Sequence, residues 1–266
     1  MLLPFPEPYD FEISTERFRA FGADLANLWD GDALYRAVDG REVRIAAAPG
    51  GVEVDPLDEV TRPVVEKLLG LEFELDPFTA WAGVQPVLGE IVARLPGFRP
   101  PLSPDPFESL VTSITSQQVS LRSAFAMRSR FVERLGEPVG RVFAFPTRER
   151  VAAADEAELF ALGFSHRKAE YVIGLARDAI DLDSLAALPD NEVRARLVAV
   201  RGLGPWTAEW FLARHLARPH AWPVGDLALR RAVNLFYGST VEDVGARLDP
   251  FQNLSAHYLL TGSRMP

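Results

Sequence analysis

The chain has 266 residues, 48% hydrophobic and 24% charged, with no cysteine and four histidines. That allows one or two globular domains with a substantial core and excludes disulfides, thiolate-held clusters, cysteine-ligated zinc and a thiol nucleophile, with little left for a histidine metal site. The formal net charge of −9 argues by itself against a nucleic-acid partner, but residues 1–90 hold 7 basic against 18 acidic residues and residues 91–266 hold 21 against 19, so the larger part is free to carry a basic face.

The first residues, MLLPFPEPYDFE, lack the basic region of a signal peptide, and no apolar run reaches the ~20 residues that span a bilayer. A cytoplasmic protein with no membrane partner is expected. Phe11-Glu12-Ile13 reads as a short strand. Leu34 to Val38 and Arg41 to Ile45 flank Asp39-Gly40, the strongest short signal for a β-hairpin. Pro49-Gly50-Gly51 makes a further turn before Val52-Glu53-Val54, and Val60 to Leu71 reads as a helix stopped at Gly70. The fold class is therefore α+β, with a small antiparallel sheet domain over residues 1–86.

Beyond Pro86 strand signals vanish, and residues 87–266 read as a helical domain in two parts. Helices are expected over Val87–Leu95, from Phe107, over Val119–Leu135 and over Asp155–Leu162. Prolines 100, 101, 104 and 106 make a rigid connector before the second of these. Ser165 is placed to cap Arg167–Ile180, and Asp190 to cap Glu192–Val200. Pro205–Ala217 and Leu227–Tyr237 complete the set.

Three features can carry chemistry. In Val200-Arg201-Gly202-Leu203-Gly204-Pro205-Trp206-Thr207, two glycines permit positive φ and close backbone approach, and the amides after Pro205 open a helix where an anion can bind. Taken alone, the segment reads at least as well as a tight turn without a ligand. Asp226, in Pro223-Val224-Gly225-Asp226, is first of all an N-cap; a carboxylate presented at a cleft mouth is compatible with that role. Trp206 and Trp210 share one helix face and read either as core or as an aromatic pocket for a flat or cationic group.

In this order the motifs resemble the helix-hairpin-helix DNA glycosylase superfamily, within it the bacterial 3-methyladenine DNA glycosylase II branch. Asp105-Pro106-Phe107-Glu108-Ser109-Leu110-Val111, Ile114-Thr115-Ser116-Gln117-Gln118-Val119-Ser120 and Leu162-Gly163-Phe164-Ser165-His166-Arg167-Lys168-Ala169 are similar to that branch's segments. The acidic N-terminal sheet matches its small β-domain. Pro250-Phe251-Gln252-Asn253 departs from the branch's usual Pro-Trp-Arg-Ser.

The resemblance implies a hydrolase of N-glycosidic bonds that flips alkylated purines out of duplex DNA in base excision repair. Alternatives are a glycosylase of the same fold for oxidised, deaminated or mismatched bases, and a non-catalytic DNA-binding module. Asp226 is the expected catalytic carboxylate, with Trp206, Trp210 and Phe251 as base pocket. Gln118 matches the wedge that fills the vacated stack, although a polar residue at a helix start reads equally well. Gly202, Gly204, Thr207 and Arg201 are expected on DNA, with Arg122, Arg128, Arg130, Arg167, Lys168, Arg230 and Arg231 as a basic face. The backbone carbonyls of Val198, Val200 and Leu203 match the branch's monovalent cation site, for Na+ or K+; no other cofactor is expected. Members that also cleave the strand carry a lysine where Trp206 stands, so a monofunctional, monomeric, nucleoid-associated enzyme without lyase activity is expected.

Overall fold

The computed structural model describes residues 1–265. Strands β1 (Leu2–Pro4), β2 (Asn27–Asp30), β3 (Ala33–Val38), β4 (Arg41–Ala48) and β5 (Gly51–Asp55) form one antiparallel sheet in the order β1-β5-β4-β3-β2. The β3–β4 turn has Asp39 at φ +49° and Gly40 at φ +68°, the paired positive angles of a type I′ hairpin. At Gly51 a Cβ would stand 2.2 Å from the Leu3 carbonyl oxygen, so only glycine lets β1 lie against this end of β5. Strand alternation sends Leu34, Val43, Ile45, Val52 and Val54 into one core with Phe11, Val65 and Leu68.

Phe11-Glu12-Ile13 is not a strand. It opens helix α1 (Phe11–Thr15), because the Asp10 carboxylate accepts the Ile13 amide at 2.9 Å and fixes a helix start that three residues of β-like pattern cannot overcome. Helix α2 (Thr61–Leu68) lies under the sheet, and the chain then enters α3 (Leu75–Ala82) and α4 (Pro86–Arg94). Side chains as far as Leu69 belong to the sheet core, whereas Phe73, Phe78 and Leu88 pack with the helices that follow.

These are α5 (Pro106–Ser116), α6 (Leu121–Leu135), α7 (Arg148–Ala153), α8 (Glu156–Ala161), α9 (His166–Arg177), α10 (Asp190–Ala199), α11 (Pro205–Arg214), α12 (Leu227–Tyr237), α13 (Val241–Arg247) and α14 (Gln252–Gly262). Asp105, Ser120, Asp155 and Ser165 cap α5, α6, α8 and α9 by accepting the amide three residues on. Asp190 does not cap. It follows the N-cap residue Pro189 inside the first turn of α10, and its carboxylate meets Arg218 at 3.3 Å. Helix α14 is buried along Asn253–Gly262, which erases the amphipathic period that would reveal it.

The helical part is not wholly helical. β6 (Glu137–Val139) and β7 (Val142–Ala144) form a hairpin with Gly140 at φ +62° in its turn. Three-residue strands are too short for alternation to show in sequence. Val142 packs on Ala33 and Tyr35, so the hairpin covers the second face of the sheet. Beneath it a buried network joins the two parts. Glu108 accepts Arg36 at 2.6 Å and Arg128 at 2.5 Å; Arg128 also pairs with Asp24, which accepts the Asn27 amide at 2.9 Å. Each charge there has an opposite neighbour, which burial requires. Among the described residues no helix is long and apolar enough to cross a membrane.

Candidate functional site

Between α10 and α11 the chain turns within four residues. The Leu203 amide donates to the Val200 carbonyl at 3.1 Å, and Gly202 sits third in the turn at φ +93°. Tyr171 of α9 closes on that glycine: a Cβ there would be 2.2 Å from the Tyr171 ring. Gln117 reaches across from the α5–α6 connection and donates to the Gly202 carbonyl at 3.1 Å. Gly204 is the N-cap of α11 and Pro205 its first residue, so the next amides, those of Trp206 and Thr207, have no acceptor within the helix.

Trp206 and Trp210, one turn apart on α11, converge on Asp226 at the head of α12. Their indole nitrogens donate to Asp226 Oδ2 at 3.0 and 2.9 Å. The other oxygen, Oδ1, accepts the Ala228 and Leu229 amides at 2.9 Å each. Asp226 thus caps α12 through Oδ1 and turns Oδ2 to the two indoles on the cleft wall. Four donors hold a half-buried carboxylate in one orientation at the wall of a cleft of about 1040 Å³, whose rim carries Gln118. Gln118 is exposed, with φ +56°, a left-handed backbone that a non-glycine residue adopts only where its surroundings enforce it.

Other expected site residues fall elsewhere. Phe251 does not line the cleft; its ring packs 5.2 Å from Trp81 and 5.7 Å from Phe78, among the aromatics of α3. Trp210 does not offer an open face. It is 2% exposed, and the Arg214 guanidinium lies 3.6 Å from its ring centroid. Trp206, half-buried on the cleft wall, remains the tryptophan available for stacking. Thr207 is 1% exposed, so its hydroxyl does not reach the surface.

In the basic face, Arg128 is locked in the buried network and Lys168 is buried, donating to the Thr115 carbonyl at 2.8 Å. Arg130 binds the Leu162 carbonyl, Arg230 the Val224 carbonyl, and exposed Arg201 pairs with Glu170 at 2.7 Å. Arg122, Arg167 and Arg231 are exposed. Val198 lies in the last turn of α10, where helix carbonyls lose their partners, while the Val200 carbonyl already accepts the Leu203 amide with one lone pair. Arg17, Arg214 and Arg264, which line the cleft, were not singled out by sequence. For Arg214 the signal was its position one turn beyond Trp210; Arg17 and Arg264 come from the two ends of the chain and have none.

The profile of the HhH-GPD superfamily base excision DNA repair proteins matches residues 111–247. The chain belongs to this superfamily. The HhH-GPD span runs from within α5 to the end of α13 and contains both the glycine turn and Asp226. A Bacillus subtilis DNA-3-methyladenine glycosylase is 29% identical over 192 residues, 68% of this chain and 63% of that protein. The Escherichia coli DNA-3-methyladenine glycosylase 2 is 35% identical over 55% of this chain and 51% of its own length. The chain thus spans less than two thirds of the length of these curated relatives. In fold, a 3-methyladenine DNA-glycosylase from Archaeoglobus fulgidus superposes with a TM-score of 0.90, covering 100% of this chain and 99% of that one at 24% identity.

Proposed function

We propose that this protein is a monofunctional, monomeric DNA glycosylase that removes alkylated purines of the 3-methyladenine and 7-methylguanine type from duplex DNA. The observation that carries the reading is the Asp226 carboxylate, fixed by two indole and two backbone N–H groups on the wall of a cleft large enough for a nucleoside. A stacked base is out of reach, so the nucleotide must rotate into the cleft, with Gln118 filling the gap it leaves. Departure of the base puts positive charge on C1′ and the ring oxygen of the sugar. A fixed carboxylate facing that charge lowers the barrier and orients the attacking water.

The amide of Trp206, the turn at Gly202 and the exposed Arg122, Arg167 and Arg231 form the surface for phosphates. The hard, neutral oxygens of Val198, Val200 and Leu203 suit a Na+ or K+ ion beside that turn; when bound, such an ion adds positive charge where a phosphate approaches. Trp206 stands where strand-cleaving members of the superfamily carry lysine, and among the described residues no lysine lines the cleft, which supports base removal without lyase chemistry.

The test is a duplex carrying one 7-methylguanine, incubated with protein and then treated with hot alkali. Strand breaks after alkali but not before are expected. Asp226→Asn is expected to lose at least about 100-fold in rate. Undiminished release by that variant refutes the assignment, and breaks without alkali refute the monofunctional reading.

A further inference from the structure

Four residues, Gln117 to Ser120, connect α5 to α6. Each end is set locally: the Gln117 amide donates to the Ile114 carbonyl at 3.2 Å, and Ser120 accepts the Ser123 amide at 3.2 Å. Between them Gln118 holds φ +56° on the cleft rim, a conformation that costs energy and persists only where its surroundings impose it. Its side chain is exposed and does not supply that hold.

The hold comes from outside the connection. Gln117 donates from Nε2 to the Gly202 carbonyl at 3.1 Å, across 85 positions of chain. Lys168, 7% exposed in the first turn of α9, donates from Nζ to the Thr115 carbonyl at 2.8 Å. Thr115 lies in the last turn of α5, where the carbonyls of a helix end favour a cation. Tyr171 of α9 lies against Gly202 in turn. The end of α5, the start of α9 and the glycine turn are thus bonded or packed to one another, and Gln118 is the next residue out from that unit.

We propose, building on the glycosylase reading and on Gln118 as the wedge, that Gln117 is a positioning residue for nucleotide flipping. Its bond to the Gly202 carbonyl ties the wedge to the turn that meets the DNA backbone. The stack lies at a set offset from the phosphates, so a wedge fixed to a phosphate-binding turn enters the stack as that turn docks. A wedge on a free loop gives way before the base does. Gln117 acts through Gln118 rather than on the reacting atoms, so its effect is confined to lesions that a partner base keeps in the stack.

The experiment measures single-turnover release of 7-methylguanine from two duplexes of one sequence. In one the lesion pairs with cytosine; in the other it stands unpaired, opposite an abasic-site analogue. The proteins are wild type, Gln117→Met, Gln118→Ala and the double variant. Both rates are taken on one preparation, so partial unfolding cancels in their ratio. Expected is a paired-to-unpaired ratio about tenfold below wild type in Gln117→Met and in Gln118→Ala. The double variant is expected to match Gln118→Ala, because a positioning residue has nothing left to position. A wild-type ratio in Gln117→Met, parallel loss from both duplexes, or losses that multiply in the double variant overturns the inference. A lowered ratio in Gln118→Ala alone leaves the wedge standing without it. A wild-type ratio in Gln118→Ala removes the wedge and the inference together while base release stands, and wild type that frees no 7-methylguanine from either duplex defeats the glycosylase reading itself.

Discussion

The indole nitrogen of Trp210 lies 2.9 Å from Asp226 Oδ2, and the oxygen that accepts it also accepts Trp206 at 3.0 Å. A carboxylate that caps a helix through one oxygen and is clamped by two indoles through the other has no freedom to rotate. Replacing Trp206 by Phe keeps an aromatic face in the cleft and removes one donor. Loss of one hydrogen bond to a charged group predicts about a tenfold drop in base release with less than about 1 kcal/mol change in stability, because Trp206 is only half-buried. Release kinetics and denaturant melts on the same preparation check it.

The two glycines of the turn are predicted to differ. Gly202→Ala forces a Cβ into the Tyr171 ring at φ +93°, whereas at Gly204 a Cβ meets nothing within 4 Å and φ is −104°. Gly202→Ala should cost about 1–3 kcal/mol and weaken DNA binding. Gly204→Ala should stay within about 0.5 kcal/mol of wild type. Equal effects in urea titrations would contradict this placement of the turn.

Salt dependence separates the arginines. Arg122 and Arg231 are exposed, while Arg128 is held in the interior by Asp24 and Glu108. Arg122→Ala and Arg231→Ala should each reduce the slope of log affinity against log salt by about one, evenly across DNA sequences. Fluorescence anisotropy from low to moderate salt gives the slope directly.

Acid should destabilise the fold through a buried histidine. His215 donates from Nδ1 to the Ser103 carbonyl at 2.8 Å, and burial, with repulsion from Lys67, lowers its pKa to about 4, against 6.5 in the unfolded chain. Its folded pKa is depressed, so between these values the unfolded chain binds the extra proton. Its share of stability is complete above pH 6.5 and falls as pH drops toward 4, by about 3 kcal/mol in all. His215→Gln should flatten that part of the stability profile, measured by denaturant unfolding at pH 7, 5.5 and 4.5.

What the sequence determined was local. Asp39-Gly40 specifies two positive φ angles and so a hairpin; Ser165 and Asp226 each offer an oxygen to an amide two or three residues away; Gly202 opens a turn. These signals act within a few residues, and the turn, the loop at Gln118 and the carboxylate are legible for that reason. Local patterning failed where a nearby cap competed, as when Asp10 turned Phe11-Glu12-Ile13 into a helix, and where burial on every side removed the period, as in α14. Only the tertiary structure decided which side chains face the cleft. Phe251 went to the aromatics of α3, Arg128 into a buried ion network, and the Arg214 guanidinium onto the face of Trp210. The ion pair of Arg264 with Glu16 spans 248 positions. Exposure and electrostatic company are properties of packing between distant segments, and no short window of sequence contains them.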